Sequence, residues 1–279
     1  SEEAAERMNE VLDVEKPDLV IYTGDLVFGK PASEALSKAL EPVVSRRLPF
    51  AVTWGNHDDE QDMTRIELLE YIKDMPGNLT STTAGVTNYV LPLKSEDGKK
   101  DAAVLYVFDS NAYSSLKQVK GYDWIRPDQI NWYVESSVGY TERNGGKPLP
   151  SLAFFHIPFP EYNEAAQDEN ALLIGTRKEK ACAPLINTGL YAAMLNAGDI
   201  MATFVGHDHV NDYVVDWKGI LLCYGRFTGG NTVYHDIPGG NGARVIELTQ
   251  GVRSFKTWER LEGGKIINEV NYPSDFQRE

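Results

Sequence analysis

Four short apolar runs in this chain each stop at a residue with metal-ligand chemistry. Leu19-Val20-Ile21-Tyr22 leads into Thr23-Gly24-Asp25, and Phe50-Ala51-Val52-Thr53-Trp54 into Gly55-Asn56-His57-Asp58. Leu152-Ala153-Phe154-Phe155 ends at His156, and Ile200-Met201-Ala202-Thr203-Phe204-Val205 ends at Gly206-His207-Asp208-His209. Unbroken apolar runs of this length fit strands buried on both faces. Amphipathic stretches with helical spacing lie around them at 2–14, 32–46, 64–74, 128–141 and Asn187–Asn196, the fourth opened by Pro127. Such alternation builds an α/β fold with helical crossovers. Thr87–Pro92 and Ala102–Phe108 read as a hairpin around the polar stretch Ser95–Lys100. Pro158 to about Lys180 is polar with little periodicity, a surface excursion beside a site. From Tyr213 onward the pattern turns to short strands at 213–217, 219–224, 243–248 and 253–258. The simplest reading of residues 1–279 is a single domain in which two sheets face each other.

Composition changes this picture little. The chain is 42% hydrophobic and 24% charged, ordinary for a globular protein, and no run approaches the roughly 18 apolar residues of a membrane span. Its formal net charge of -14 argues against a nucleic-acid polymer as partner and suits bound cations. Cys182 and Cys223 define no framework; buried thiols are favoured over one disulfide. Asn78-Leu79-Thr80 matches a glycosylation acceptor, a triplet common by chance. The chain opens on Ser1 with an acidic stretch and no visible signal peptide, an expectation of trimming that leaves a secreted or periplasmic origin open.

The chemistry lies in the strand ends, because ligands in open α/β sheets gather outside the carboxyl ends of the strands. Taken singly, Asp25 is ordinary turn chemistry and His156 an ordinary core histidine. His57 flanked by Asn56 and Asp58 is an odd way to make a turn. His207 and His209, at i and i+2 in an extended segment, would point the same way. Four such endings in order make a shared metal site the better reading. An O and N donor set without thiolate favours Mn, Fe, Zn or similar ions. Arg226, beside glycines after a strand, either reaches a substrate phosphate in bidentate fashion or pairs with a carboxylate. Tyr224 and Asn211 are weaker candidates of the same kind. Asp208 and Asp212 are expected as partners of ligands or as turn residues, His235 as a surface residue, and Trp124, Trp132 and Tyr133 as packing.

Gly24-Asp25, Gly55 to Asp58, the lone His156 and Gly206 to His209, in this order, resemble the calcineurin-like metallophosphoesterases. Cys223-Tyr224-Gly225-Arg226, with Thr228-Gly229-Gly230 and Gly242 to Glu247, resembles the branch related to purple acid phosphatases. The resemblance implies a four-layer α-β-β-α sandwich with two mixed sheets and a site for two divalent ions, of Mn, Fe or Zn. Asp25 would bridge the ions; Asn56, His156 and His207 would hold the second and His209 the first. Asn56 and Arg226 would meet substrate. His57 would act as general acid with Asp58 orienting its ring, while a metal-bound hydroxide attacks phosphorus in line. Substrates would be small phosphorylated molecules or phosphoproteins, as monoesters; phosphodiesters such as cyclic nucleotides or lipid head groups are the alternative, and a non-catalytic binding module a third reading. Two departures stand out. The family's opening Asp-x-His finds no match before Gly24, which implies a first strand and two ligands outside the sequence given, through trimming. Phe28 replaces the tyrosine that ligates ferric iron in purple acid phosphatases, so no purple chromophore is expected.

Overall fold

Strand ends carry the candidate ligands, so the order of the strands decides what can meet. The computed structural model describes residues 1–83, 85–231 and 233–277. Helices α1 (Glu2–Glu15), α2 (Ala32–Val44), α3 (Arg65–Ile72) and α4 (Pro127–Arg143) fall where the amphipathic spacing puts them. Local chemistry sets their ends. Ser1 accepts from the Ala4 N–H, Lys16 closes α1 in the left-handed region, and Thr64 with Glu67 forms a reciprocal capping box at α3. Helix α6 (Leu190–Ala197) starts three residues later than its apolar pattern, because Asn187 turns the chain by accepting from the Gly189 N–H.

Strands β1 (Val20–Tyr22) and β2 (Phe50–Val52) pair in parallel as a two-stranded sheet. β3 (Tyr89–Lys94), β4 (Asp101–Val107), β5 (Ser151–Phe154), β6 (Leu173–Ile174), β7 (Ile200–Val205), β8 (Val214–Trp217) and β9 (Ile220–Tyr224) form a seven-stranded mixed sheet in the order β3-β4-β5-β7-β9-β8-β6. β10 (Gly242–Leu248), β11 (Phe255–Leu261) and β12 (Ile266–Tyr272) form an antiparallel third sheet. One of the two expected mixed sheets is therefore present; in place of the other stand two separate small sheets.

Alternation along the strands sorts side chains into two interfaces. Val104, Tyr106, Ala153, Phe155, Leu222 and Tyr224 face α4, α6 and a helix α5 (Glu161–Gln167). Leu105, Leu152, Phe154, Phe204, Leu221 and Cys223 face the opposite way, onto Ile21 of β1 and Phe255 and Val270 of the third sheet. Val20, Tyr22, Phe50 and Val52 meet α1, α2 and α3 in a cluster of their own.

Three local expectations need correction. The excursion from Pro158 to Lys180 contains α5, whose Tyr162 and Ala165 are fully buried; seven residues are too few for periodicity to register. β12 was not expected, because on this edge strand Val270 alone is buried. β1 is only half-buried throughout, unlike the fully buried β2, β5 and β7. Both cysteines are free thiols, Cys223 buried as expected but Cys182 exposed. No helix of the described residues is long and apolar enough to cross a membrane.

Candidate metal centre

Glycine permits the close approach of the strand ends. A Cβ on Gly24, at φ +96°, would lie 2.5 Å from the Gly55 nitrogen and 2.7 Å from His156 Nδ1. A Cβ on Gly55 would sit 2.1 Å from Asp25 Oδ1. No side chain fits in either place, so the loops after β1 and β2 touch backbone to backbone, and the His156 ring at the end of β5 lies against Gly24. Asp58 fastens these loops. Its carboxylate accepts the N–H groups of Asp25 at 2.9 Å, Leu26 at 2.7 Å, Val27 at 2.9 Å and Gly55 at 2.6 Å. Arg65, the first residue of α3, holds the Gly55 carbonyl at 2.7 Å and pairs with Asp109 at 2.5 Å.

Three of the expected ligands meet. Asp25 Oδ2 lies 3.0 Å from His156 Nε2, and His207 Nδ1 lies 3.2 Å from the same nitrogen. Asp25 and His207 both hold positive φ, at 57° and 74°, strained backbone of the kind that clusters at functional sites. His156 Nδ1 donates to the Thr23 carbonyl at 2.6 Å, which leaves its Nε2 lone pair aimed at the other two donors. Burial opposes charge on His156, but Asp25 outweighs it and raises the histidine. Burial would likewise raise Asp25, yet His156 and the His57 N–H at 2.9 Å hold its carboxyl below the usual range. Burial, with His156 beside it, pushes His207 down to about 3, so its ring is neutral and able to donate a lone pair.

Asn56 is fully buried, and its Nδ2 donates to the Tyr113 hydroxyl at 2.9 Å, leaving Oδ1 buried without a partner. A buried orphan carbonyl oxygen, two imidazole nitrogens and a carboxylate are the donor types that suit a hard-to-borderline divalent cation.

Other expected residues take different places. His209 does not join the group formed by Asp25, His156 and His207. Residues 206–210 turn instead of extending, so His207 and His209 diverge; His209 stacks between Phe227 and Tyr234, each at 4.6 Å, with Nδ1 on the Tyr234 carbonyl at 3.0 Å. Burial lowers its pKa. Asp58 does not orient His57, since its oxygens are taken by backbone N–H groups; the His57 ring is held by Glu60, with Nδ1 2.8 Å from Oε2. Arg226 has no donor left for a phosphate. All five of its N–H groups go to Asp212, Glu259 and the carbonyls of Pro238 and Gly240, and its side chain is fully buried. Tyr224 donates to Asp208, which also accepts from the Cys182 N–H, and Asn211 accepts from Lys178 and Glu179; these groups fasten loops. His235 Nδ1 faces the Val233 carbonyl at 2.7 Å. Trp132 and Tyr133 pack against Tyr106 and Phe108. Phe28 is exposed at 61%.

Glu60 and Tyr113 escaped sequence reasoning. A carboxylate three residues after His57 was a usable signal for the first. Nothing local marks Tyr113, which reaches Asn56 across a separation of 57 residues.

Residues 1–211 match the pattern of the calcineurin-like phosphoesterases. This chain belongs to that family. It is 34% identical over 91% of its length, and 72% of the relative's, to a protein of Arabidopsis thaliana named "Probable inactive purple acid phosphatase 29". It is 36% identical over 92% of its length, and 47% of the relative's, to "Phosphatase DCR2" of Saccharomyces cerevisiae. These relatives bear out the likeness to the purple acid phosphatase branch. A crystal structure of a dimetal phosphatase from Danio rerio superposes with a TM-score of 0.65 over 96% of this chain and 88% of that one; at 12% identity this likeness concerns the fold.

Proposed function

We propose that this calcineurin-like phosphoesterase hydrolyses phosphomonoesters at the Asp25–His156–His207 centre. The observation that carries the reading is the convergence of those three donors; the buried Asn56 oxygen, left without a partner, supports it. We read the helix, small-sheet, large-sheet, helix order as the four-layer sandwich of the family, with Asn56 as a fourth ligand of one ion and His209 serving a second after its ring turns. A divalent cation held there supplies Lewis acidity toward the phosphoryl oxygens and the attacking water. The chain supplies the rest. The His156–Thr23 contact fixes the imidazole that faces Asp25, and Asp58 keeps the two glycine loops in register. As the water oxygen bonds to phosphorus and the ester P–O bond breaks, His57 gives its proton to the departing oxygen.

Metal analysis of the purified protein, with turnover of nitrophenyl phosphate and of its bis-ester, tests this reading. Bound divalent metal and a preference for the monoester support it. A preference for the bis-ester would favour phosphodiesters such as cyclic nucleotides or lipid head groups. Bound metal with no turnover of either ester would favour a metal- or partner-binding module, a reading supported by the word inactive in the plant relatives' names.

A further inference from the structure

Asn56 and His57 are consecutive, yet their side chains leave the backbone in different directions and are rejoined by two residues that the motif does not contain. Asn56 Nδ2 donates to the Tyr113 hydroxyl at 2.9 Å. That hydroxyl donates to Glu60 Oε1 at 3.2 Å. The other oxygen of Glu60 lies 2.8 Å from His57 Nδ1. A lone exposed pair such as His57–Glu60, with side chains 45% and 43% accessible, would be worth little energetically. Here each carboxylate oxygen has its own partner, and the chain of contacts starts at a candidate ligand and ends at the candidate acid.

The direction of each contact matters. An amide presents either its oxygen or its NH2, and the Tyr113 contact takes up the NH2 side, which leaves Oδ1 as the donor. An imidazole that gives its Nδ1–H to a carboxylate keeps Nε2 free for the phosphate side. Tyr113 is itself anchored. It bridges to Tyr122 in a short antiparallel contact, the two rings stack at 5.7 Å, and the Tyr122 ring meets His207 edge-on at 4.4 Å.

We propose that Glu60 and Tyr113 are positioning residues of the phosphoester site: Glu60 aims the His57 ring at the departing oxygen, and Tyr113 holds both Glu60 and the Asn56 amide. This rests on the phosphomonoesterase reading above. Glu60 reacts with nothing. The proton passes from His57 Nε2 to the leaving oxygen while the P–O bond breaks, and the carboxylate keeps the ring in line.

The test uses the full chain loaded with Mn2+, on nitrophenyl phosphate, whose departing oxygen needs no proton, and on glycerol 2-phosphate, whose alkoxide does. Glu60→Ala should lower kcat on glycerol 2-phosphate about 10–100-fold, leave nitrophenyl phosphate within about threefold, and keep its metal. Glu60→Gln, whose amide oxygen still accepts from Nδ1–H, should recover part of the loss. Tyr113→Phe should weaken Mn2+ binding about 10-fold by calorimetric titration. Equal loss on both esters, or none, together with unchanged Mn2+ affinity, would overturn the proposal. His57→Ala separates the two levels of inference. Unchanged glycerol 2-phosphate turnover in that variant removes the general-acid reading itself, whereas loss there with wild-type behaviour in Glu60→Ala removes only the role of Glu60. A readout free of turnover exists in the ring nitrogens of His57 by NMR: the neutral ring should carry Nδ1–H in the wild type and Nε2–H in Glu60→Ala, and identical tautomers would count against the proposal.

Discussion

Two of the buried clusters of ionisable side chains in this protein are finished differently. Around Arg226 every group has a partner. The Arg226 guanidinium meets Asp212, Glu259 and two carbonyls, Arg244 meets Glu259 and the Asp212 and Tyr224 carbonyls, and all four side chains are at most 3% exposed. This cluster ties the end of β9 to β10 and β11. Around Asp25 the partners run short. Two imidazole nitrogens face each other across 3.2 Å, a carboxylate faces one of them, and the Asn56 oxygen has none. A buried polar group left unpaired costs roughly 1–3 kcal/mol, so a native fold keeps such a set where something outside the chain completes it. Residues of both clusters looked like chemistry in the sequence; the one with spare donor capacity is the one we propose as the site.

Replacing one residue in each cluster should therefore have opposite readouts. The largest effect is expected for Asp25→Ala, which removes the anion that the other donors share: bound metal should fall below detection by elemental analysis and turnover with it. Retained metal would erase the distinction between the clusters. His57→Ala should keep its metal while kcat on alkyl esters falls about 10²–10⁴-fold, as steady-state kinetics would report; full activity would remove the acid role. In the closed cluster, Arg226→Ala leaves Asp212 and Glu259 buried against each other. Denaturant unfolding should register a loss of about 3–5 kcal/mol, with metal per folded molecule unchanged. A loss of metal without a loss of stability would place Arg226 at the site after all.

The smallest effect is one of pH. Burial, with Asp212 alongside, outweighs the two arginines and raises Glu259 from 4.5 to about 8. The native state then holds a proton that the unfolded chain has released, so this group's contribution to stability is full below about pH 4.5 and is lost as pH rises toward 8. Glu259→Gln cannot titrate. The gap in melting temperature between wild type and variant should shift in the variant's favour across that window by several degrees, and a constant gap would contradict the shift.

Much was legible along the chain because it depends on neighbours in sequence. The apolar runs that became β2, β5 and β7, the helical spacing of α1 to α4, and the glycines beside Asp25, Asn56 and His207 are local patterns with local causes. The short α5 and the edge strand β12 carried too few buried positions to register. Arg226 stayed open between a phosphate and a carboxylate because a guanidinium beside glycines looks alike whether its donors are free or used; its partners Glu259, Pro238 and Gly240 lie 12 to 33 residues away. His209 was misread because the i, i+2 rule holds in a strand, and the chain turns at His207. By itself the sequence determined which side chains end the strands and which ions their atoms suit, since donor type and alternation are properties of the chain. Tertiary structure alone decided which of those side chains meet, which stay unpaired and which loop residue, Tyr113 or Glu60, holds them, because those contacts depend on how distant loops pack.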